Sequence, residues 1–278
     1  MLYNNNMQHR ASHTAMKTAA LLAVSCLCGA ATAYAETDVE ALAKKSQNPV
    51  EAMVSVPFQN NFNFGMGPDK EMGYNLNIQP VVPLTLSSNW NYIVRPILPI
   101  LDIPLGGGRR KSGLGDLTLE TFFTPSKAKS FIWGVGPMAI FPTATERELG
   151  NGQWDLGPAA VGVYMHGPWV LGALVTQGWS VAGESGRPGT APFSVQPFIN
   201  YNLPHGWAIT TAPTYTADWR SDANNAWTLP VGGGISRTLL VGKQPLSLAL
   251  VAYYNVDKPR FQADYQIRFA VTFMFPAK

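Results

Sequence analysis

Charged residues are scarce in this sequence, at 13% of 278 residues, which is about half of the fraction in an ordinary soluble domain. Long apolar runs are scarce as well. After Ala35, no stretch approaches the roughly 18 consecutive apolar residues that a membrane-spanning helix needs. Together, these two shortages argue against a soluble globular enzyme and against a bundle of membrane helices.

Cysteine is missing from most of the chain, because Cys26 and Cys28 are the only two. From Glu36 onward, the sequence therefore excludes disulfides, thiolate metal sites and cysteine nucleophiles. This part holds 18 basic and 17 acidic residues, since Arg10 and Lys17 are the only charged residues before it. The near balance, with no basic patch, predicts no nucleic-acid partner. No motif predicts a cofactor.

The first 35 residues have the three parts of a secretory signal peptide. Lys17 provides the positive start, residues 19–30 form the apolar core, and residues 33–35 (Ala-Tyr-Ala) form a cleavage motif. In this interpretation Met16 is the true start of translation, and the exported protein begins at Glu36.

The last strand-like run of the chain alternates between two kinds of residue. One parity is aromatic or aliphatic: Tyr265, Ile267, Phe269, Val271, Phe273 and Phe275. Period-two alternation predicts a β-strand, and a tilted strand of about 9–11 residues can cross a bilayer. The aromatic end resembles the C-terminal signal of bacterial outer-membrane barrels, which implies the barrel-assembly machinery as a partner. A strand that faces lipid predicts a closed barrel, since an open sheet edge cannot be satisfied in hydrocarbon.

Twelve strand-like runs follow one another from residue 53: 53–64, 72–84, 90–101, 114–123, 130–141, 153–165, 169–181, 192–202, 207–219, 226–239, 245–256 and 265–275. Short turns between them alternate with longer polar loops at 65–71, 102–113, 142–152, 182–191, 220–225 and 257–264. This alternation is typical of outer-membrane barrels. The sequence thus predicts an all-β fold, a single transmembrane antiparallel β-barrel of 12 strands over residues 53–278. Its turns face the periplasm, its longer loops are extracellular, and outer-membrane lipid surrounds it.

Residues 36–52 stand apart from the barrel runs. Residues 36–48 predict a short helix, and Pro49 ends it. Two interpretations of this segment stay open: a periplasmic tail, which we prefer, or a plug that enters the barrel.

Tryptophan and proline have marked positions within this pattern. Six of the eight tryptophans lie near the ends of runs, as in the aromatic girdles of membrane barrels: Trp90, Trp154, Trp169, Trp207, Trp219 and Trp227. Eight prolines lie inside runs: Pro57, Pro80, Pro96, Pro137, Pro158, Pro197, Pro213 and Pro230. Because each proline removes a ladder hydrogen bond, we expect bulges or local breaks there.

Several segments resemble a known family. They are 55–65 (SVPFQNNFNFG), 133–137 (WGVGP), 142–145 (PTAT), 197–204 (PFINYNLP), and 230–234 (PVGGG) followed by 242–245 (GKQP). They are similar to the bacterial "transporter" proteins called neuromedin U-like, which resemble the outer-membrane proteins of the meta-pathway of phenol degradation. The resemblance implies an outer-membrane barrel that takes up small, aromatic or hydrophobic molecules.

The polar residues of inward parity are the candidate lumen lining. They are Gln59, Asn61, Asn63, Asn75, Asn77, Gln79, Arg95, Asp116, Glu120, Gln196, Asn200, Asp218, Gln266 and Arg268. A charge is costly against lipid, at about 2–4 kcal/mol for arginine at mid-depth. Two roles stay open for this set: a selectivity lining, or an internal network that only fills a narrow barrel.

The sequence leaves three functions to weigh. The first is a channel or transporter for small-molecule solutes, and the second is a structural or adhesive barrel with a filled lumen and binding loops. The third, an enzyme of the outer membrane, has the least support. Only His166 and His205 follow residue 35, and both fall in predicted periplasmic turns, so we predict no catalytic and no metal site.

Overall fold

The computed structural model describes residues 36–127, 130–222 and 225–275. The predicted signal peptide, residues 1–35, lies outside the described residues. The described chain begins with helix α1 (Glu36–Ser46). Its strands are β1 (Val54–Met66), β2 (Glu71–Ile78), β3 (Val82–Thr85), β4 (Trp90–Gly106), β5 (Arg109–Leu114), β6 (Leu117–Pro125), β7 (Phe131–Phe141), β8 (Gln153–His166), β9 (Trp169–Gln177), β10 (Trp179–Gly183), β11 (Pro192–Asn202), β12 (Trp207–Thr211), β13 (Tyr215–Asp218), β14 (Trp227–Val241), β15 (Gln244–Asp257) and β16 (Tyr265–Phe275). No helix in these ranges is long and apolar enough to cross a membrane.

These segments form one closed sheet. Four strands are interrupted, as β2 with β3, β5 with β6, β9 with β10, and β12 with β13, so that the barrel has 12 antiparallel strands. The last strand closes the barrel on the first: β16 pairs with β1 from Val54 opposite Phe275 to Phe64 opposite Tyr265. The predicted 12-stranded antiparallel barrel is confirmed.

The two faces of the strands differ as period-two alternation requires. Large apolar side chains are exposed on the outside, including Ile209 at 56% and Val231 at 54%. An exposed apolar band of this kind is the surface that a barrel presents to lipid. Trp90, Trp169, Trp207 and Trp227 each begin a strand, Trp154 is the second residue of β8, and Trp219 directly follows β13. The predicted aromatic positions at strand ends are therefore present.

Asn60 is an exception on the outward face, because it interrupts a row of apolar side chains in β1. Its Oδ1 accepts a hydrogen bond from the Tyr74 hydroxyl at 2.7 Å. Its Nδ2 donates to the Phe269 carbonyl oxygen at 3.2 Å. Cross-strand neighbours thus satisfy the amide where water is not at hand.

The prolines coincide with interruptions of the ladders. Pro80 lies in the gap between β2 and β3, and Pro96 lies opposite that gap, since β4 pairs with β3 up to Val94 and with β2 from Leu98. Pro197 and Pro213 face each other across a second gap, between the β11–β13 and β11–β12 ladders. The β14–β15 register shifts directly before Pro230. The expectation of local breaks is confirmed at these positions, because a residue without an N–H fits where no ladder bond is made.

One predicted loop is a hairpin instead. The sequence places a loop at 102–113, but β4 continues to Gly106 and β5 begins at Arg109. Gly107 and Gly108 form the two-residue turn, with φ of 62° and 72°. Two positive φ angles define the turn type that matches strand twist, and glycine adopts them without strain. The polar composition of 102–113 is typical of a loop, but most of these residues pair with one another in two strands.

Candidate functional site: the barrel lumen

One wall of the lumen, on β1, β2 and β16, carries a ladder of side-chain amides. Asn61 is 2% exposed, and its Nδ2 donates to the carbonyl oxygen of Asn75 at 3.0 Å. Asn63 Oδ1 accepts from Gln266 Nε2 at 2.8 Å. The strand register places these residues side by side on neighbouring strands. The amides therefore form a cross-strand network on the inner surface.

A buried ion pair lies next to this ladder. Arg95 on β4 donates from Nη1 to Glu120 Oε2 at 2.6 Å and from Nη2 to Gln79 Oε1 at 2.7 Å. Gln79 Nε2 in turn donates to Gln59 Oε1 at 3.1 Å. The two charges of Arg95 and Glu120 cancel, and their hydrogen bonds offset part of the desolvation cost of burial.

Arg268 on β16 is held in a different way. Its Nε donates to Asn61 Oδ1 at 2.8 Å, and its Nη2 donates to Gln266 Oε1 at 3.2 Å. Its Nη1 donates to the Ala212 carbonyl oxygen at 3.4 Å, and its guanidinium carbon lies 5.4 Å from the ring centre of Tyr253. None of these partners is a carboxylate, so the positive charge of Arg268 is not cancelled by them.

Two internal cavities lie within the barrel. The periplasmic one has a volume of about 210 Å³, and the one nearer the external end has a volume of about 310 Å³. Five side chains line both cavities: Gln59, Gln79, Arg95, Gln196 and Arg268. We call these five residues the polar constriction, because they stand where the two cavities meet.

The remaining candidates have distinct positions. Asn77 and Glu120 line only the external cavity, and Asn200 lines only the periplasmic one. Gln196 Nε2 donates to Thr214 Oγ1 at 3.0 Å, and Asn200 Oδ1 accepts from Thr210 Oγ1 at 2.5 Å.

Asp116 and Asp218 do not belong to the lining of either internal cavity. Asp116 accepts hydrogen bonds from the backbone N–H groups of Ala144 at 3.1 Å and Asn151 at 2.6 Å. Asp218 Oδ1 accepts from the N–H groups of Ala191 and Arg220, both at 2.9 Å. Both carboxylates cap external loops. Parity alone predicts the face of a residue but not its height in the barrel.

An apolar wall, with residues on β4, β6, β8, β9 and β11, also faces inward, which the sequence pattern did not indicate. The buried cluster there includes Ile93, Phe122, Val163, Val170 and Phe198. On β8 and β9, both faces carry apolar residues, so alternation gives no signal of which one faces inward. The lumen is therefore amphipathic, with amides and arginines facing aliphatic and aromatic side chains.

Two further inward polar residues were also missed. Asp155 is fully buried, and its Oδ1 accepts a hydrogen bond from Thr190 Oγ1 at 2.7 Å. Tyr253 is 3% exposed, and its hydroxyl accepts from the Ala212 N–H at 3.0 Å. The parity of both residues was available from the sequence, whereas their partners lie 35 and 41 positions away.

The segment before β1 lies against the periplasmic end of the lumen. Gln47 and Asn202 exchange a pair of amide hydrogen bonds at 3.0 and 3.1 Å. Val50 is 3% exposed and belongs to the apolar cluster of the lumen. A methyl group built on Gly206 would lie 2.7 Å from Val39 Cγ1, so a glycine allows α1 to approach this turn. Residues 46–49 line the periplasmic cavity.

The external connections contact one another around the barrel. The bridging contacts are Asp69 with the Gly107 N–H, Lys111 with Glu146, Arg187 with the Arg147 carbonyl, Arg220 with Ser180, Asn225 with the Arg260 N–H, and Lys70 with Asp264. We call this set the loop ring. It links each external connection to the next.

Comparisons with known proteins place the fold. No known family model matches the chain, and no curated protein sequence matches it. Among solved structures, an outer-membrane channel from Pseudomonas putida superposes with a TM-score of 0.60 at 14% identity, over 80% of this chain and 94% of that one. The NanC porin superposes with a TM-score of 0.51 at 8% identity, over 81% of this chain and 100% of that one.

An outer-membrane phospholipase from Salmonella typhi is more distant. Its TM-score is 0.40 at 11% identity, over 87% of this chain and 99% of that one, so this likeness says nothing about activity. Identities this low show the fold and not the substrate. By its closed barrel and its structural neighbours, the chain has the fold of the bacterial outer-membrane β-barrel channels.

Proposed function

We propose that this protein is a channel that lets small, aromatic or hydrophobic molecules cross the bacterial outer membrane. The amphipathic lumen carries the proposal. A barrel that served only as a scaffold would gain stability from a filled, apolar interior, since packing buries apolar surface. Here the interior keeps two cavities lined by amides and arginines on one side and apolar residues on the other.

The resemblance to neuromedin U-like proteins supports the choice of solute. A planar apolar solute fits the aliphatic wall, and its polar substituent fits the amides of the polar constriction. The same resemblance, the signal at 1–35 and the terminal aromatic strand support export to the periplasm and insertion by the barrel-assembly machinery.

We also propose that residues 36–52 act as a plug at the periplasmic mouth. This proposal is supported by the reciprocal Gln47–Asn202 amide pair and by the burial of Ala43 and Val50, at 2% and 3% exposure. A solvated tail would not bury these side chains against the barrel. For this reason we propose the plug in preference to the periplasmic tail.

The proposed channel is tested by solute flux into liposomes that contain the purified protein. We expect 4-hydroxybenzamide, a small neutral aromatic solute, to enter these vesicles faster than protein-free vesicles. Equal rates in both preparations, for this solute and for its carboxylate analogue 4-hydroxybenzoate, would refute the channel.

A structural or adhesive barrel is the second candidate, and the loop ring favours it. Six connections held in fixed positions present a stable surface to the medium, as a binding protein requires. This candidate predicts no solute flux. It also predicts that loop substitutions, such as Lys111→Ala, weaken adhesion and leave flux unchanged. We do not propose an enzyme. His166, the last residue of β8, and His205, in the turn at Pro204–Gly206, lie at the end opposite to the external loops.

A further inference from the structure

We infer that the proposed channel prefers small organic carboxylates with an apolar body, and that Arg268 is the residue that selects them. The inference rests on the proposed function and names its substrate class. Arg268 lines both internal cavities. Any solute that passes from one cavity to the other therefore meets its guanidinium.

The first argument is the charge balance of the polar constriction. Of its two arginines, Arg95 is paired with Glu120 at 2.6 Å. The ion pairs formed among the described residues do not include Arg268. The constriction therefore carries an uncompensated positive charge. A fixed charge in a narrow lumen favours ions of the opposite sign.

The second argument is the hydrogen-bonding capacity of Arg268. Its three contacts, with Asn61, Gln266 and the Ala212 carbonyl, are made to neutral oxygen atoms. A guanidinium carries more N–H donors than these three contacts use. The amides fix the plane of the guanidinium, and the remaining donors stay available. A fixed guanidinium with free donors suits a carboxylate, because the two groups match in geometry.

The third argument is the free-energy cost of holding Arg268 inside the barrel without a counter-ion. A cation removed from bulk water without a counter-ion destabilises a protein. The ring of Tyr253, 5.4 Å from the guanidinium, offsets only part of this cost. A structural role would be served better by a paired arginine, such as Arg95, than by an unpaired one. An anionic solute that passes this position would supply the negative charge that balances the Arg268 guanidinium.

The apolar body of the solute follows from the wall opposite Arg268. The external cavity is lined by Ile97, Met138, Ile140 and Leu174 in addition to the polar constriction. A solute with a ring or a short chain would bury apolar surface there while its carboxylate reaches Arg268. Inorganic anions lack this second contact.

The test compares two solutes that share a ring and differ in charge, 4-hydroxybenzoate and 4-hydroxybenzamide. Their flux into liposomes containing the full exported chain is measured at pH above 7, after subtraction of flux into protein-free vesicles. We expect the carboxylate to enter roughly fivefold faster, the factor that Coulomb's law gives for a unit charge about 4 Å away in water. Arg268→Gln should remove this preference, so that the two solutes enter at similar rates.

A second variant covers the case in which Arg268→Gln does not assemble. Gln266→Glu keeps the guanidinium and places a carboxylate beside it, at the position of an acceptor 3.2 Å away. It should also abolish the preference. Arg109→Gln is the matched control, since Arg109 is exposed at the tip of the β4–β5 hairpin, and it should retain the preference of the wild type.

The outcomes separate the two levels of the argument. Equal flux of both solutes through the wild-type protein would overturn the carboxylate preference and leave the channel intact. Retention of the preference in Gln266→Glu would refute the role of Arg268. Absence of protein-dependent flux for both solutes would overturn the channel itself, and the inference with it.

Discussion

At the scale of the residue, the inner wall is built from polar groups that find partners across strands. Asn61, Gln79 and Gln266 each bond to side chains or carbonyls on a neighbouring strand. A polar group left alone in a barrel wall costs more than its hydrogen bond contributes, because water is not available to replace the lost partner. Replacing one partner alone should therefore lower the stability of the protein more than replacing both partners with apolar residues.

The ion pair of Arg95 and Glu120 gives the first prediction. Arg95→Leu leaves the Glu120 carboxylate buried without its cation, which should lower the free energy of unfolding by about 3–5 kcal/mol. The double substitution Arg95→Leu and Glu120→Leu should lose clearly less. Urea unfolding of the protein refolded in vesicles measures both values, and equal losses would show that the pair does not matter to stability.

The outward-facing amide of Asn60 gives the second prediction. Tyr74→Phe removes the hydroxyl that donates to Asn60 Oδ1, and we expect a loss of about 1–3 kcal/mol for the unsatisfied oxygen. Replacing Asn60 with Leu in the same chain should restore most of it. The same unfolding assay applies, and a stable Tyr74→Phe variant would mean that another donor reaches Asn60.

At the scale of the element, helix α1 and the strands have separable roles. The helix contacts β11, β14, β15 and the turn at Pro204–Gly206, but it contributes no strand to the sheet. The barrel closes through β1 and β16 alone. Loss of the helix should therefore change access to the lumen more than it changes assembly.

Deletion of Glu36–Ser46 tests this separation. We expect the shortened protein to assemble and to pass 4-hydroxybenzamide faster than the full exported chain, because the periplasmic mouth loses its cover. Gln47→Ala, which breaks the amide pair with Asn202, should give a smaller increase, and the exposed Lys45→Ala should give none. An unchanged rate after deletion would show that α1 does not obstruct the lumen.

The loop ring gives a prediction of pH dependence. A hydrogen bond from Lys70, supported by a second one from Lys258, holds the pKa of Asp264 below its ordinary value. A depressed pKa means that the link stabilises the ring above the ordinary carboxyl pKa and is lost as the pH falls through the lowered value. The amide hydrogen of Gly67, which bonds to the Phe261 carbonyl, should stay protected at neutral pH and exchange faster in acid.

Hydrogen exchange, corrected for intrinsic rates, measures this effect. Asp264→Asn should abolish the additional acid sensitivity, because the asparagine side chain does not titrate in this range. Global stability should change little in that variant, since the ion pair is exposed. Acid sensitivity that survives in Asp264→Asn would assign it to another group.

At the scale of the whole molecule, a closed barrel with an apolar exterior predicts a single location. Fractionation should recover the protein in the outer membrane, with an N-terminus at Glu36 and with gel mobility that changes on heating, as a closed barrel unfolds only then. Mass spectrometry of the purified protein checks the N-terminus. Recovery as a soluble periplasmic protein would refute membrane insertion.

The strand pattern, the strand-end tryptophans and the inward parity of Arg95 and Arg268 could all be predicted from the sequence by itself, because alternation is a local property. Only the tertiary structure decided which inward charges meet. Arg95 finds Glu120 through the β4–β6 register, 25 positions away, while Arg268 finds amides. The apolar wall, the loop ring and the position of α1 also depend on contacts between distant segments. A local pattern specifies the face that a residue occupies, whereas its partners follow from register and closure, which the whole sheet sets.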